Sequence, residues 1–182
     1  MVKYFKFSRG LPECGPCGHW PQLHHGLLSV KCAEILRPKK EILVLALTII
    51  ALVAVSVISG LHFAWAGKIW WPISDETKLV RAVAGFPNVE RMPPPTACLL
   101  VAVALCCVAL LLLADSLQSE PSPAVAFALL VAGLVFLGRG AVGFTPFWFR
   151  ATPEQPFRRL DLKYYSPLCL AIGAIIVAAA LS

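Results

Sequence analysis

ILVLALTIIALVAVSVISGLHFAWAG, residues 42–67, carries no Asp, Glu, Lys or Arg. A helix needs about 20 apolar residues to cross a hydrocarbon core of about 30 Å. This stretch is long enough to span with tilt or to run past the headgroups. In lipid the backbone has no water to bond, and the period-two alternation of a barrel strand is missing, so the stretch reads as a helix.

Three more uncharged runs follow. Thr96 to Ala114 is opened by Pro93, Pro94 and Pro95 and closed by Asp115. Proline tolerates only the first turn of a helix, which makes that start sharp. Ser122 to Gly138 is interrupted by Arg139, after which apolar residues continue toward Phe149. Ser166 to Ser182 is just long enough to cross, at about 25 Å of helix.

The spacing thus predicts four helices, over about 42–67, 96–114, 122–144 and 165–182. The fold class is all-α, an integral membrane four-helix bundle (41–182) behind a flexible Cys- and His-containing amino-terminal tail (1–40). Residues 1–29 of that tail fall outside the translated product if synthesis starts at Val30. A cleaved signal peptide ending near Ala64-Trp65-Ala66 fits less well, since the first run far exceeds the ~7 to 15 apolar residues of a signal core.

Composition agrees with a membrane protein. Of 182 residues, 58% are hydrophobic and 14% charged, with a mean hydropathy of +0.76, which excludes both a soluble globular domain and a disordered chain. The net charge of +6 suits loops beside anionic headgroups. No nucleic-acid module is recognisable, and the basic residues do not gather on one periodic face, so no nucleic-acid partner is expected.

Four crossings place the loops Lys68–Pro94 and Thr145–Lys163 on one face, edged by Trp70, Trp71, Trp148, Tyr164 and other aromatics. The amino terminus, the turn Asp115–Pro121 and the carboxy terminus share the other. Lys31, Arg37, Lys39 and Lys40 flank the first span, while Lys68, Lys78, Arg81, Arg91, Arg139, Arg150, Arg158, Arg159 and Lys163 lie on the aromatic side. Counting Lys and Arg near the helix ends, a cytoplasmic aromatic face is expected.

In the tail, Cys14-Gly15-Pro16-Cys17 has the spacing of two zinc ligands, with His19 and Cys32 as further donors. No second CxxC or regular His pair follows. The same four residues resemble a redox motif, but the strand and helix that would activate the thiol are missing. No metal or cofactor is therefore expected. Cys98, Cys106, Cys107 and Cys169 lie in apolar helices, where a thiol acts as a small hydrophobe.

Ionisable groups inside spans are functional hypotheses by default, since even favourable estimates for Arg at mid-helix are about 2.5 to 3.5 kcal/mol. His62 and Arg139 are the two candidates, both near the aromatic face. Ser59, His62 and Trp65 share one helical face by their spacing of three. The nearest loop carboxylate is Asp161, so an Arg139–Asp161 pair is expected to neutralise both charges. One reading makes these residues an interface anchor. The other makes His62, Trp65, Arg139, Asp161 and Tyr164 a small pocket that binds a lipid headgroup or an amphipathic ligand.

Gly138, Gly140 and Gly143 match a dinucleotide fingerprint, but an apolar membrane helix precedes them and Pro146, Pro153 and Pro156 follow. They are read instead as sites of close helix contact or of a bend. A proton-coupled exporter would need a carboxylate inside a span, and a metal-dependent lipid hydrolase would need clustered His and Asp. Neither is found.

Gly60-Leu61-His62-Phe63-Ala64-Trp65-Ala66, with Arg158-Arg159-Leu160-Asp161 leading into Tyr164-Tyr165-Ser166-Pro167-Leu168-Cys169-Leu170, resembles the small bacterial membrane proteins grouped as domain of unknown function 3995. The likeness covers roughly Glu41 to Ser182, including Trp70-Trp71-Pro72 and the glycines around Arg139. It implies four spans and a bacterial inner-membrane location, and carries no activity with it. The expected function is a non-enzymatic membrane protein that binds a lipid, a protein partner or a second copy of itself through its aromatic, charged face. The alternative is a membrane enzyme with His62 as acid or base and Arg139 holding an anionic amphipathic substrate.

Overall fold

The computed structural model describes residues 23–118 and 122–181, with side chains from residue 42 onward. The chain divides into two units, Met1–Pro38 and Lys39–Ser182. Cys14, Cys17 and His19 lie outside the described residues. Cys32 falls in a helix, but its side chain is also outside them.

Helix α1 covers Leu23–Ala66, so the chain is already helical before its apolar run begins at Ile42. A loop carrying the short helix α2 (Glu76–Val83) leads to α3 (Pro95–Leu117), and α4 follows (Pro123–Val142). The short α5 (Pro146–Ala151) and α6 (Phe157–Leu160) lead through a π-helical turn (Asp161–Tyr165) into α7 (Ser166–Ala180). No strand occurs among the described residues.

Four helices are long and apolar enough to cross a membrane: Ile42–Ala66, Pro95–Leu117, Pro123–Val142 and Phe157–Ala180. The fourth starts at Phe157, ahead of the boundary near residue 165 read from the sequence. Ser166-Pro167 resembles a helix start because proline suits a first turn. Here Pro167 instead sits within a continuing helix. Lacking an N–H and crowding the preceding turn, it follows directly on the widened turn in which Ser166 N–H donates to Asp161 O. A π-turn beside a proline is where a helix absorbs such a defect.

The core lies between the spans. Ala51 and Val55 of α1, Leu112 of α3, Leu129 of α4 and Ile172 and Ile176 of α7 form one buried cluster. The outward residues are apolar too: Ile50, Val53, Leu100, Leu110, Phe127 and Val135 are exposed. A soluble bundle places polar residues there, whereas a bilayer protein leaves such faces to lipid. Small residues bring α4 and α7 together. A Cβ built on Gly133 would meet Val177 Cγ2 at 2.7 Å, and one on Gly173 would meet Gly133 O at 2.9 Å. In lipid, close backbone approach of this kind replaces the hydrophobic drive between helices.

At the aromatic end the two long loops meet. Asp75 caps α2 by accepting from Lys78 N–H at 3.0 Å, and α2 buries Leu79, Val80 and Ala82. Tyr165 Oη donates to Ala82 O at 3.2 Å, and Glu154 N–H donates to Gly85 O at 3.3 Å. Gly85 has φ +69° with the Phe157 ring against its backbone, a position open only to glycine.

Candidate functional site

The site is built around a carboxylate with no solvent exposure. Asp161, on the π-turn, is 0% exposed. Arg139 Nη2 donates to its Oδ1 at 2.8 Å, and Ser166 Oγ donates to the same oxygen at 3.0 Å. Trp148 Nε1 donates to Oδ2 at 2.9 Å, and Arg158 Nη1 lies 3.6 Å from it. A buried carboxylate is tolerated only when its lone pairs are taken up in this way.

Local structure places each partner. Thr145 caps α5 by accepting from Trp148 N–H at 3.3 Å and donates to Val142 O at 2.7 Å, which fixes the indole just beyond α4. Arg158 donates through both Nη atoms to Gly143 O at 3.3 Å, and its guanidinium lies 3.4 Å from the centroid of the Phe149 ring. Gly143 is the meeting point, since any side chain there would collide with Ser166 Oγ.

Arg139 keeps part of its surface open. Its side chain is 34% exposed, and its guanidinium carbon lies 5.0 Å from the centroid of the Trp148 ring. Arg139 and Arg158 share the single carboxylate of Asp161, so the cluster holds one positive charge in excess. Arg158 is nearly closed off. The charge therefore presents itself through Arg139.

Arg139 faces a cleft of about 310 Å³ beneath α2 and its loops. His62 and Trp65 of α1 form one wall, and Cys98 and Val101 of α3 another. Phe86 and Phe157 contribute aromatic surface. Val101 is 44% exposed on a membrane-spanning helix, so the cleft borders the lipid-facing surface.

His62 Nδ1 lies 2.9 Å from Ile58 O, and the His62 and Trp65 rings are 4.9 Å apart. Trp65 Nε1 donates to Trp71 O at 2.9 Å. One turn earlier, Ser59 Oγ donates to Ala102 O at 2.8 Å, tying α1 to α3.

Of the five residues read as a pocket, His62, Trp65 and Arg139 line the cleft. Asp161 does not reach it and stands behind Arg139 as its counter-charge. Tyr164 is outside as well: it is 51% exposed, with Lys163 Nζ 5.1 Å from its ring centroid. Tyr164 lies on the π-turn Asp161–Tyr165. Trp148, Arg158 and Ser166 were not assigned to the pocket from the sequence, whereas Gly143 was read there as a site of close helix contact or a bend. Of the first three, only Arg158 left a local trace, as a cation three residues before Asp161.

Among the described residues no group of three or more His, Cys, Asp or Glu is placed to hold a metal. Of the glycine triad, Gly140 packs against Leu170 and Gly143 against Ser166, while Gly138 has open space beside it.

Fold and site together define a multi-pass helical membrane protein with a paired charge cluster beneath an apolar cleft. The family described as "Protein of unknown function (DUF3995)" matches residues 54–176, and the chain belongs to it. The matched stretch includes His62, Trp65, Arg139 and Asp161. No curated protein and no solved structure matches the chain.

Proposed function

We propose that this membrane protein is non-enzymatic and binds an anionic lipid in the cleft, with the headgroup at Arg139 and an acyl chain along the apolar walls toward Val101. One observation carries the reading: a partly open guanidinium with an uncompensated share of positive charge faces an apolar cleft at the membrane boundary. An amphiphile with one anionic group is complementary to both features.

The same lining argues for binding over turnover. Beside His62 the walls offer no hydroxyl or carboxylate, and Cys98 directs its thiol to Pro93 O at 3.8 Å. A base without a nucleophile or second acid has little to work on.

The test is lipid preference in nanodiscs, read from quenching of tryptophan fluorescence by brominated acyl chains. Wild type is expected to enrich anionic lipid over phosphatidylcholine. The R139Q variant, which removes the open cation and leaves Asp161 paired with Arg158, is expected to fold and to lose that preference. A folded R139Q variant that retains it would remove Arg139 from the binding role.

A further inference from the structure

His62 supplies the cleft with a recognition element of the opposite kind. A carbonyl oxygen only accepts, so the 2.9 Å contact with Ile58 O puts a proton on Nδ1 and leaves the neutral ring's lone pair on Nε2. Among the described residues every buried side-chain nitrogen or oxygen has a hydrogen-bond partner. Nε2 has no protein partner and is therefore not buried, on a side chain that lines the cleft.

The ring is also held still. Ile58 fixes one edge, Trp65 lies against it at 4.9 Å between centroids, and Trp65 is pinned in turn by Trp71 O. A fixed acceptor costs little to organise when a donor arrives. The cleft thus offers donors on a cation at Arg139 and a bare acceptor at His62. A ligand using both carries an anionic oxygen and an O–H or N–H group in the same headgroup.

We infer that the cleft selects phosphodiester lipids with a hydroxyl-bearing headgroup, the phosphate meeting Arg139 and a headgroup hydroxyl donating to His62 Nε2. This rests on the lipid-binding reading above and adds the headgroup class. An ammonium headgroup also has N–H donors, but it brings positive charge to a cluster that already holds an excess of it. A phosphoglycerol headgroup brings one negative charge and two hydroxyls.

The experiment uses the full chain in phosphatidylcholine nanodiscs, titrated with phosphatidylglycerol or with phosphatidylmethanol, which has the same charge and no headgroup hydroxyl. Phosphatidylglycerol is expected to bind roughly three- to tenfold tighter, the span of one net hydrogen bond. His62→Phe is expected to abolish the difference in affinity between the two lipids.

Equal binding of the two anionic lipids, both above phosphatidylcholine, would overturn the headgroup assignment and leave the lipid site standing. Binding of neither above phosphatidylcholine would overturn the site itself. A preference for phosphatidylethanolamine over phosphatidylglycerol, or a glycerol preference that survives His62→Phe, would also defeat the inference. The wild-type lipid comparison needs no variant and decides the matter if His62→Phe does not fold.

Discussion

Arg139 and Asp161 stand on different membrane-spanning helices, and their side chains meet at 2.8 Å, joining α4 to the π-turn before α7. The pair does two things. It neutralises a carboxylate with no access to water, and it holds the Arg139 side chain where its remaining surface faces the cleft.

The first expectation concerns that carboxylate. Asp161→Ala leaves Arg158, nearly buried, and Arg139 without their counter-charge, and the loss expected on breaking such a buried arrangement is about 3 to 5 kcal/mol. Asp161→Asn keeps the shape and should be milder. Reversible unfolding in mixed micelles would show the order; an alanine variant as stable as wild type would contradict the role given to the cluster.

Trp148→Phe keeps an aromatic ring near Arg139 and removes only the donor that reaches Asp161 Oδ2 at 2.9 Å. A buried acceptor deprived of a partner is expected to cost about 1 to 3 kcal/mol. In an Asp161→Asn background the same change should cost less, because the two side chains act as one unit. A double-mutant cycle measures this coupling.

Glycines at the contact between α4 and α7 are expected to differ sharply from those that face open space. Gly133→Leu and Gly173→Leu force bulk into a gap where even a Cβ would lie 2.7 to 2.8 Å from the nearest atoms of the other helix. Gly60 and Gly138 have nothing within 4 Å, so Gly60→Leu and Gly138→Leu should be tolerated. Cysteine crosslinking across α4 and α7 would report separation in the first pair only.

Ser59→Ala removes the hydrogen bond that ties α1 to α3 through Ala102 O. Interhelical bonds in membranes average about 0.6 kcal/mol, so a small loss of stability is expected, well below that of Asp161→Ala. Lipid preference should be unchanged, since the bond lies outside the cleft lining. A large loss would mean that α1 depends on this one contact.

Span number and helical form were legible because they are local properties. A charge-free apolar run of sufficient length must satisfy its own backbone in lipid, whatever lies beside it. The pairing of Arg139 with Asp161 was legible for a related reason, since few ionisable groups lie near the spans and each needs a counter-charge. The start of the fourth span was not, because Ser166-Pro167 reads equally as a helix beginning or as a defect inside one.

What the sequence by itself determined is therefore the set of crossings and the partner that the intramembrane cation requires. The tertiary structure alone decided who else serves Asp161, which surfaces of His62 and Arg139 share a cleft and that Tyr164 lies outside it. Those relations depend on the extra width of one helical turn and on glycines that let α4 and α7 approach. Both are features of how separate segments meet, and the pattern of apolar residues within each segment carries no record of them.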